Sequence, residues 1–321
     1  MTYTSGGLIQ ATDYNGFVST TAGANVNDVW ATGASDKGWG QSALATVSAT
    51  NTVTATQWAS LVNTIASMGS QTGTTITART APTAGTVIGI LAAVNTDLTN
   101  VTTNRNNAAA VGTQYTGWTG TNSKTATTSG ASWTITFTNT VTFASAAAAR
   151  YFFNAGGLIK LDTAKSSTGN TGDPEWNDLA TTLCGDIYFS GVAASHTIAG
   201  VAYTGTTKIG GTGTPTTLST ATGYYALTPG AAATIIYKQF ADTAPYTANF
   251  IQTSVALDAT SAILTFTTLW SASDGDPITG GTASSGATPG TAPTTICTYF
   301  PPSTTYLSNS WGTPTVAATT A

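Results

Sequence analysis

The chain has 321 residues, of which 41% are hydrophobic and only 7% are charged, with 9 Lys+Arg, 13 Asp+Glu and a formal net charge of −4. The few basic residues are scattered, which argues against a nucleic-acid-binding protein, because binding to the phosphate backbone needs clustered Lys and Arg. No apolar run approaches the ~18 residues of a membrane span. The hydrophobic content also excludes a disordered chain. With Thr as the most frequent residue, the composition is typical of a β-rich structural protein.

The first region, residues 1–110, contains the helical signals. A short amphipathic segment follows Thr12. From Thr54 onward, apolar residues at helical spacing predict a longer helix, capped by Thr54 or Thr56 and ending at Gly69. We expect this region to act as a docking or trimerisation module.

A third helix is predicted from a stripe of apolar residues that alternate at spacings of three and four, a period of 3.5. The stripe comprises Ala84, Val87, Leu91, Val94, Leu98 and Val101. Two interpretations stay open: a helix packed on the chain's own core, or a short coiled coil that joins three copies through the five residues from Val87 onward. Against the coiled coil, its flanking positions lack the Glu/Lys pairs that usually set partner choice.

The second region, residues 111–230, is predicted as a β-rich middle domain. Residues 132–143 alternate apolar residues with Thr, the strongest strand pattern in the chain. An alanine run at 146–149 is compatible with a helix and precedes a Gly-Gly turn and a further strand. Further strands are expected at 187–189 and 196–203, followed by a loop at 205–217.

The third region, residues 231–321, is predicted as a β-rich C-terminal domain, with strands at 234–240, 248–257 and 262–270 and a long loop at 279–293. The proline-stiffened run from Tyr299 to Leu307 is interpreted as an extended arm that reaches a neighbouring copy. The expected fold class is therefore mainly β, with antiparallel sandwich or jelly-roll-like modules and an N-terminal helical region, or alternatively α+β.

The beginning of the sequence lacks the basic and apolar segments of a secretory signal. Cys184 and Cys297 are 113 positions apart, too far for a local redox or zinc motif. We interpret them as two buried free thiols, with a long-range disulfide as the alternative.

Three segments resemble virion structural proteins of tailed bacteriophages, of the tail-fibre-like or general virion type found in cyanophages and their relatives. They are Val26–Gln41 (VNDVWATGASDKGWGQ), Thr54–Leu61 (TATQWASL) and Arg150–Gly157 (RYFFNAGG). None of these motifs is catalytic, so the resemblance implies a role in the phage particle and no active site. It also implies assembly in the host cytoplasm and a final location in the virion.

Chemical sites are poorly supported. With one histidine and two distant cysteines, no zinc site can be completed within the chain, and His196 is expected to be a surface or cross-strand residue. The acidic runs at 173–178 and 274–276 are interpreted as capped turns, with a calcium site as the alternative. Glu175 with Asp173, Asp178 or Asp186 is the only candidate pair for glycan cleavage. We therefore predict a non-enzyme with no catalytic residues, cofactor or metal.

Aromatic residues offer a different kind of site. Trp270, Tyr299, Phe300 and Trp311 are candidates for an interface or for stacking on sugar rings, although aromatic residues in β proteins mostly belong to the core.

The expected function is therefore that of a structural component of a tailed phage particle, in a tail or neck fibre or associated with the baseplate. It would act through homo-oligomeric assembly, as a homotrimer in contact with other virion proteins, because uncharged Thr/Ala strand edges favour pairing with other chains. The alternatives are a capsid decoration protein or an adhesin that binds host surface glycan, and, less favoured, a polysaccharide depolymerase. Neither nucleic acid nor membrane is an expected partner.

Overall fold

The computed structural model describes residues 10–19, 24–84, 91–115, 122–123, 132–166, 173–272, 278–279, 282–283 and 293–321. The helices are α1 (Ala11–Val18), α2 (Val26–Val29), α3 (Ala55–Thr72), α4 (Leu91–Thr103), α5 (Ala146–Asn154) and α6 (Asp173–Asn177), which continues as a π-helical turn over Asp178–Leu183. A 3₁₀ turn lies at Tyr224–Ala226. As predicted, the longer helices of the N-terminal region precede the sheets.

The strands are, in chain order, β1 (Asn122–Ser123), β2 (Trp133–Thr142), β3 (Leu158–Ala164), β4 (Asp186–Phe189), β5 (His196–Ile198), β6 (Val201–Tyr203), β7 (Thr206–Ile209), β8 (Thr217–Leu218), β9 (Thr234–Phe240), β10 (Phe250–Leu257), β11 (Ile263–Ala272), β12 (Ile278–Thr279), β13 (Thr282–Ala283), β14 (Thr294–Phe300) and β15 (Thr315–Thr320). One sheet has the order β1-β14-β3-β4-β7 and the other the order β15-β2-β11-β10-β9-β8. All pairings within both sheets are antiparallel. The mainly β class with an N-terminal helical region is confirmed.

The two large sheets pack face to face as a sandwich. Strand β2 buries every second side chain, among them Ile135, Phe137 and Val141, as the apolar/Thr alternation predicts. Across the sandwich, the rings of Phe189 and Phe266 meet edge to face with centroids 5.4 Å apart. The hydrophobic effect therefore joins both sheets through one continuous core.

The same core extends into the N-terminal helices. Helix α3 begins with a capping box, in which Thr54 accepts a hydrogen bond from the backbone N–H of Gln57 and the Gln57 side chain accepts from the backbone N–H of Thr54. The N-terminal region contacts the β region at α5: the amide of Gln71 donates to the carbonyl oxygen of Ala155, and Tyr151 packs on Gly40. The helices are therefore built into the sandwich.

Helix α3 does not end at Gly69, contrary to the prediction. It continues to Thr72, and Gly73 in the left-handed conformation (φ 67°) ends it. Gly69 serves a different purpose, since a Cβ there would lie 2.9 Å from Ile76 Cγ2 and 3.1 Å from the Thr74 carbonyl oxygen. The residue allows the chain after the helix to return closely along it.

Two further expectations need correction. Residues 196–203 form a hairpin rather than one strand, because Ala199 (φ 49°) and Gly200 (φ 82°) make a two-residue turn between β5 and β6, as in type I′ turns. The stretch 205–217, expected as a loop, contains β7, which pairs with β4. Its Thr-rich residues take strand geometry because a neighbouring edge satisfies their backbone groups.

The regions predicted as middle and C-terminal domains contribute strands to the same two sheets: β2 pairs with β11, and β3 pairs with β14. The C-terminal run, expected as an arm on a neighbouring copy, packs on its own chain. Leu307 is buried in the core, and β15 pairs with β2. Within the described residues, no helix is long and apolar enough to cross a membrane.

Candidate functional site

A cavity of about 310 Å³ opens beside the C-terminal end of β14. Its volume is at the lower end of the range of small-molecule sites, roughly 300–1,000 Å³. The walls come from residues 112–115, from the prolines that end β14 and from residues 309–313. The cavity is thus formed by loops that the rigid sheet holds in place.

Residues 111–115 run antiparallel to the end of β14 and form one wall. The backbone N–H of Gly112 donates to the carbonyl oxygen of Pro301 (2.7 Å), and that of Tyr115 donates to the carbonyl oxygen of Tyr299 (2.9 Å). The approach is close at Gly112, where a Cβ would lie 3.0 Å from Pro301 Cγ. Pro301 and Pro302 follow β14 and have no N–H to extend the strand ladder.

Aromatic rings form the floor of the cavity. Tyr115 and Tyr299 stack with ring centroids 4.6 Å apart and planes 11° apart, and Trp311 lines the same space. The hydroxyl of Tyr299 donates to the carbonyl oxygen of Pro314 (3.0 Å). Burial, with a smaller effect of Tyr115, raises the pKa of Tyr299 to about 12, so the phenol stays neutral at physiological pH.

The rim of the cavity is polar and uncharged. Its exposed residues are Thr113, Thr304, Asn309 and Thr313. Among the described residues that line the cavity, none carries a charge. Hydroxyl and amide groups around an aromatic floor can bind a neutral ligand that has one apolar face and several hydroxyl groups.

Two of the three aromatic residues of the cavity, Tyr299 and Trp311, were predicted from the sequence as interface or sugar-stacking candidates. The structure brings Tyr299 and Trp311 together, with 3% and 2% of their surface exposed. Tyr115 was not predicted from the sequence, because it lies in a polar stretch without a strand pattern and reaches the site only through its pairing with β14. Tyr115 is partly exposed and stacks on the buried ring of Tyr299, so Tyr115 is the more accessible of the two tyrosines.

The other two aromatic candidates lie elsewhere. Trp270 is fully buried on the inner face of β11 and stacks on Trp176 with centroids 5.8 Å apart. Phe300 lies on the opposite face of its sheet, next to Tyr188. A fully buried ring has no free face for a ligand, so Trp270 is a core residue.

The C-terminal half of the stripe on the third helix faces the interior. Val94, Leu98 and Val101 have no exposed surface and belong to the core of the single chain, where α4 packs against α3 and α1. Leu91 is the first residue of α4, and Val87 lies outside the described residues. This placement corresponds to the first interpretation, a helix on the chain's own core.

One acidic cluster is present in the described part of the chain. Glu175, Asp178 and Asp242 bring one carboxylate oxygen each within 4.8 Å of the others. Burial raises the pKa of Glu175; a hydrogen bond from Thr243 opposes this shift, and the two aspartates add to it. Ca²⁺ takes about six to eight oxygens, so the three side chains alone would form an incomplete site.

The cluster differs from the sequence prediction in its members. Asp186 forms an ion pair of 2.8 Å with Lys160 and is not part of it, and the side chain of Asp173 lies outside the described residues. Asp242, which follows β9, was not considered because it is distant in sequence. The acidic run at 274–276 also lies outside the described residues.

The histidine and both cysteines are buried. His196 has 6% of its surface exposed, and its Nδ1 lies 2.9 Å from the carbonyl oxygen of Ala194. Cys184 and Cys297 are free thiols, which confirms that prediction. Burial raises the pKa of both thiols, that of Cys184 to about 11, so both are protonated and unreactive at neutral pH.

Comparison of the chain with family models, with curated proteins and with solved structures gives no match. The resemblance to tailed-phage virion proteins therefore stays a prediction from the three quoted segments.

Proposed function

We propose that the chain is a structural, non-enzymatic component of a tailed phage particle and acts by homo-oligomeric assembly. The observation that best supports this proposal is β15, a six-residue strand at the edge of the larger sheet. Soluble monomers usually protect such edges with Lys, Pro or bulges, because unpaired backbone groups bind other chains. Strand β15 contains neither a charge nor a proline.

The outer face of the same sheet is also nearly uncharged. Its outward residues on the second and third strands are Thr134, Thr136, Thr138, Thr140 and Thr142 of β2 and Ile263, Thr265, Thr267, Leu269 and Ser271 of β11. Lys238 on β9 is the charged residue of this face among the described strands, and its ammonium lies over the ring of Phe250 at 3.7 Å. A face with so little charge allows the approach of another molecule without charge repulsion.

The three segments behind the resemblance fit a structural role. Arg150 Nη2 donates to the carbonyl oxygen of Thr32 (2.7 Å), which joins the first segment to the third. Both segments therefore contribute to the packing of the fold, as expected of motifs with a structural role. The described side chains of the stripe that predicted three copies, Val94, Leu98 and Val101, are buried in the core, so we propose association through the sheet rather than through α4.

Two measurements test this proposal. Native mass spectrometry of the purified chain is expected to show assemblies of the 32.3 kDa subunit. Gold labelling of a C-terminal tag on purified phage particles is expected to decorate the tail, neck or baseplate. A protein that is monomeric and absent from particles would contradict the proposal, and label on the capsid surface would favour the decoration alternative.

The cavity beside β14 favours a second function, binding of a neutral host glycan. Tyr115, which is partly exposed and stacks on the buried ring of Tyr299, offers an apolar ring face, and Asn309 and the three threonines of the rim offer hydrogen bonds. Recognition of a sugar needs this combination of apolar and polar groups in a concave site.

Saturation-transfer NMR with neutral oligosaccharides tests the second function. Tyr115→Ala is expected to weaken binding at least tenfold, while Tyr306→Ala is the matched control, because Tyr306 is 45% exposed and lies outside the cavity lining. Equal binding by both variants, or no binding by the unmodified chain to any neutral sugar of a broad panel, would remove the glycan function.

A further inference from the structure

The backbone of β15 alternates between groups that face β2 and groups that face away from it. Thr136 and Ala321 exchange two hydrogen bonds of 2.9 Å, which identifies them as a hydrogen-bonded pair. In an antiparallel ladder such pairs recur at every second residue. The N–H and C=O groups of Val316, Ala318 and Thr320 therefore point away from β2.

None of the residues that the structure describes pairs with these outward groups. Strand β1 lies near β15 but pairs with β14 instead. The outward groups of Val316, Ala318 and Thr320 are thus three donors and three acceptors in a row, about 6.7 Å apart along the strand. A row of this kind is completed by a further extended strand.

We propose that β15 pairs antiparallel with β15 of a second copy, about a two-fold axis at Ala318; this inference rests on the proposed self-association. In this register Ala318 lies opposite the partner's Ala318, and Val316 lies opposite the partner's Thr320. The three outward residues of each strand then form hydrogen-bonded pairs, with about six backbone hydrogen bonds in total. The two six-stranded sheets become one continuous sheet.

The side chains support a second copy as the occupant. The pattern Val316, Ala318, Thr320 is self-complementary, as an isologous interface requires, and a small residue at its centre meets its own copy without a clash. Because β15 has no charge, its pairing with itself places no like charges opposite each other, which would oppose association. A strongly charged partner peptide would find no complementary charge on this strand.

Cysteine crosslinking tests the register. In the proposed pairing the two Ala318 Cα atoms are ~5.5 Å apart, within the disulfide range of ~4.4–6.8 Å. The two Ala317 Cα atoms are diagonal neighbours at ~7–8 Å, beyond that range. Under mild oxidation, Ala318→Cys is expected to form a covalent dimer and Ala317→Cys is expected to form about tenfold less. The native thiols do not interfere, because both are buried.

A second pair of variants tests the contact without oxidation. Ala318→Lys places two ammonium groups opposite each other and is expected to weaken dimerisation at least tenfold, while Ala318→Val keeps the strand neutral and is expected to dimerise like the unmodified chain. Both variants keep the hydrogen bonds from β15 to β2, so their melting temperatures control for folding.

The outcomes separate this inference from the proposed function. If the unmodified chain associates but Ala318→Cys does not crosslink, or Ala318→Lys associates unchanged, the edge pairing is overturned and self-association stands. A purely trimeric assembly also overturns it, because a two-fold contact makes dimers. If the unmodified chain is monomeric and absent from particles, the proposed function fails, and this inference fails with it.

Discussion

Trp39 Nε1 donates a hydrogen bond of 2.9 Å to the backbone carbonyl oxygen of Asn154, 115 residues later in the chain. The side chain of Asn154 returns the contact, since its amide donates to the carbonyl oxygen of Gly38 (3.0 Å). Both side chains are buried. This reciprocal pair fastens the N-terminal region to α5 and thereby to the β-sandwich.

We expect Trp39→Phe to lower the free energy of unfolding by about 2 kcal/mol or more, because it leaves a buried carbonyl without its donor and creates a small cavity. Trp30→Phe is the matched control: Trp30 also donates to a carbonyl, that of Ser42 (3.1 Å), but in an exposed position. Its loss should stay below about 1 kcal/mol. Urea unfolding measures both values, and equal losses would show that the Trp39 contact has no special role.

Gly40 is expected to tolerate no side chain. It has a left-handed conformation (φ 70°), and a Cβ there would overlap the ring of Tyr151. Gly200 has a similar conformation (φ 82°), but nothing lies within 4 Å of a Cβ there. Gly200→Ala should therefore cost only the backbone strain, about 1–2 kcal/mol, and Gly40→Ala clearly more. Thermal unfolding of the two variants compares them, and a smaller loss at Gly40 would contradict the close packing on α5.

Stability should depend on His196 near neutral pH. Burial lowers the pKa of His196 below its ordinary value of 6.5, although the carbonyl of Ala194 opposes the shift. Because the unfolded chain then binds a proton at higher pH than the folded chain does, the free energy of unfolding should fall as the pH drops below about 6.5 toward the folded pKa. His196→Gln should reduce this fall.

NMR titration gives the pKa of the same group directly, since the chain has one histidine. The imidazole signal of the folded protein should titrate below pH 6.5. A midpoint at or above that pH, or an identical pH dependence of stability in His196→Gln, would contradict the burial of this side chain.

Both thiols should resist modification in the folded protein. Cys184 and Cys297 are buried, and burial raises the pKa of each, whereas the reactive species is the exposed thiolate. A chromogenic disulfide reagent at neutral pH should label neither thiol until the chain unfolds in denaturant, when both should react. Rapid labelling of either residue in the native state would place it at the surface.

Local patterns in the sequence predicted much of the fold. The alternation at 132–143 predicted β2 within a residue at each end, and of the two predicted caps of α3, Thr54 and Thr56, the first is the cap. Strands β7 and β15 were missed because their Thr, Ala and Gly residues have little apolar pattern of their own. They are strands because β4 and β2 offer them backbone partners, which is a property of the tertiary fold. Gly69 was predicted as the end of α3 because glycine is favoured both where a helix ends and where two chain segments pack closely together.

The candidate site was predicted less well for the same reason. Tyr299 and Trp311 were identified from their residue type, but residue type cannot separate a buried ring at a cavity from a core ring such as Trp270. Tyr115 and Asp242 come to their clusters through contacts between residues distant in sequence. Val94, Leu98 and Val101 of the predicted stripe are buried on one side of α4, yet an apolar stripe is compatible both with a partner helix and with the chain's own α3.

The most direct test of self-association through the sheet edge is the mass of the native protein in solution. We expect native mass spectrometry to find twice the 32.3 kDa subunit mass, or an even multiple of it, and the subunit mass alone for Ala318→Lys. A single 32.3 kDa species for the unmodified chain, unchanged as its concentration rises, would contradict the account.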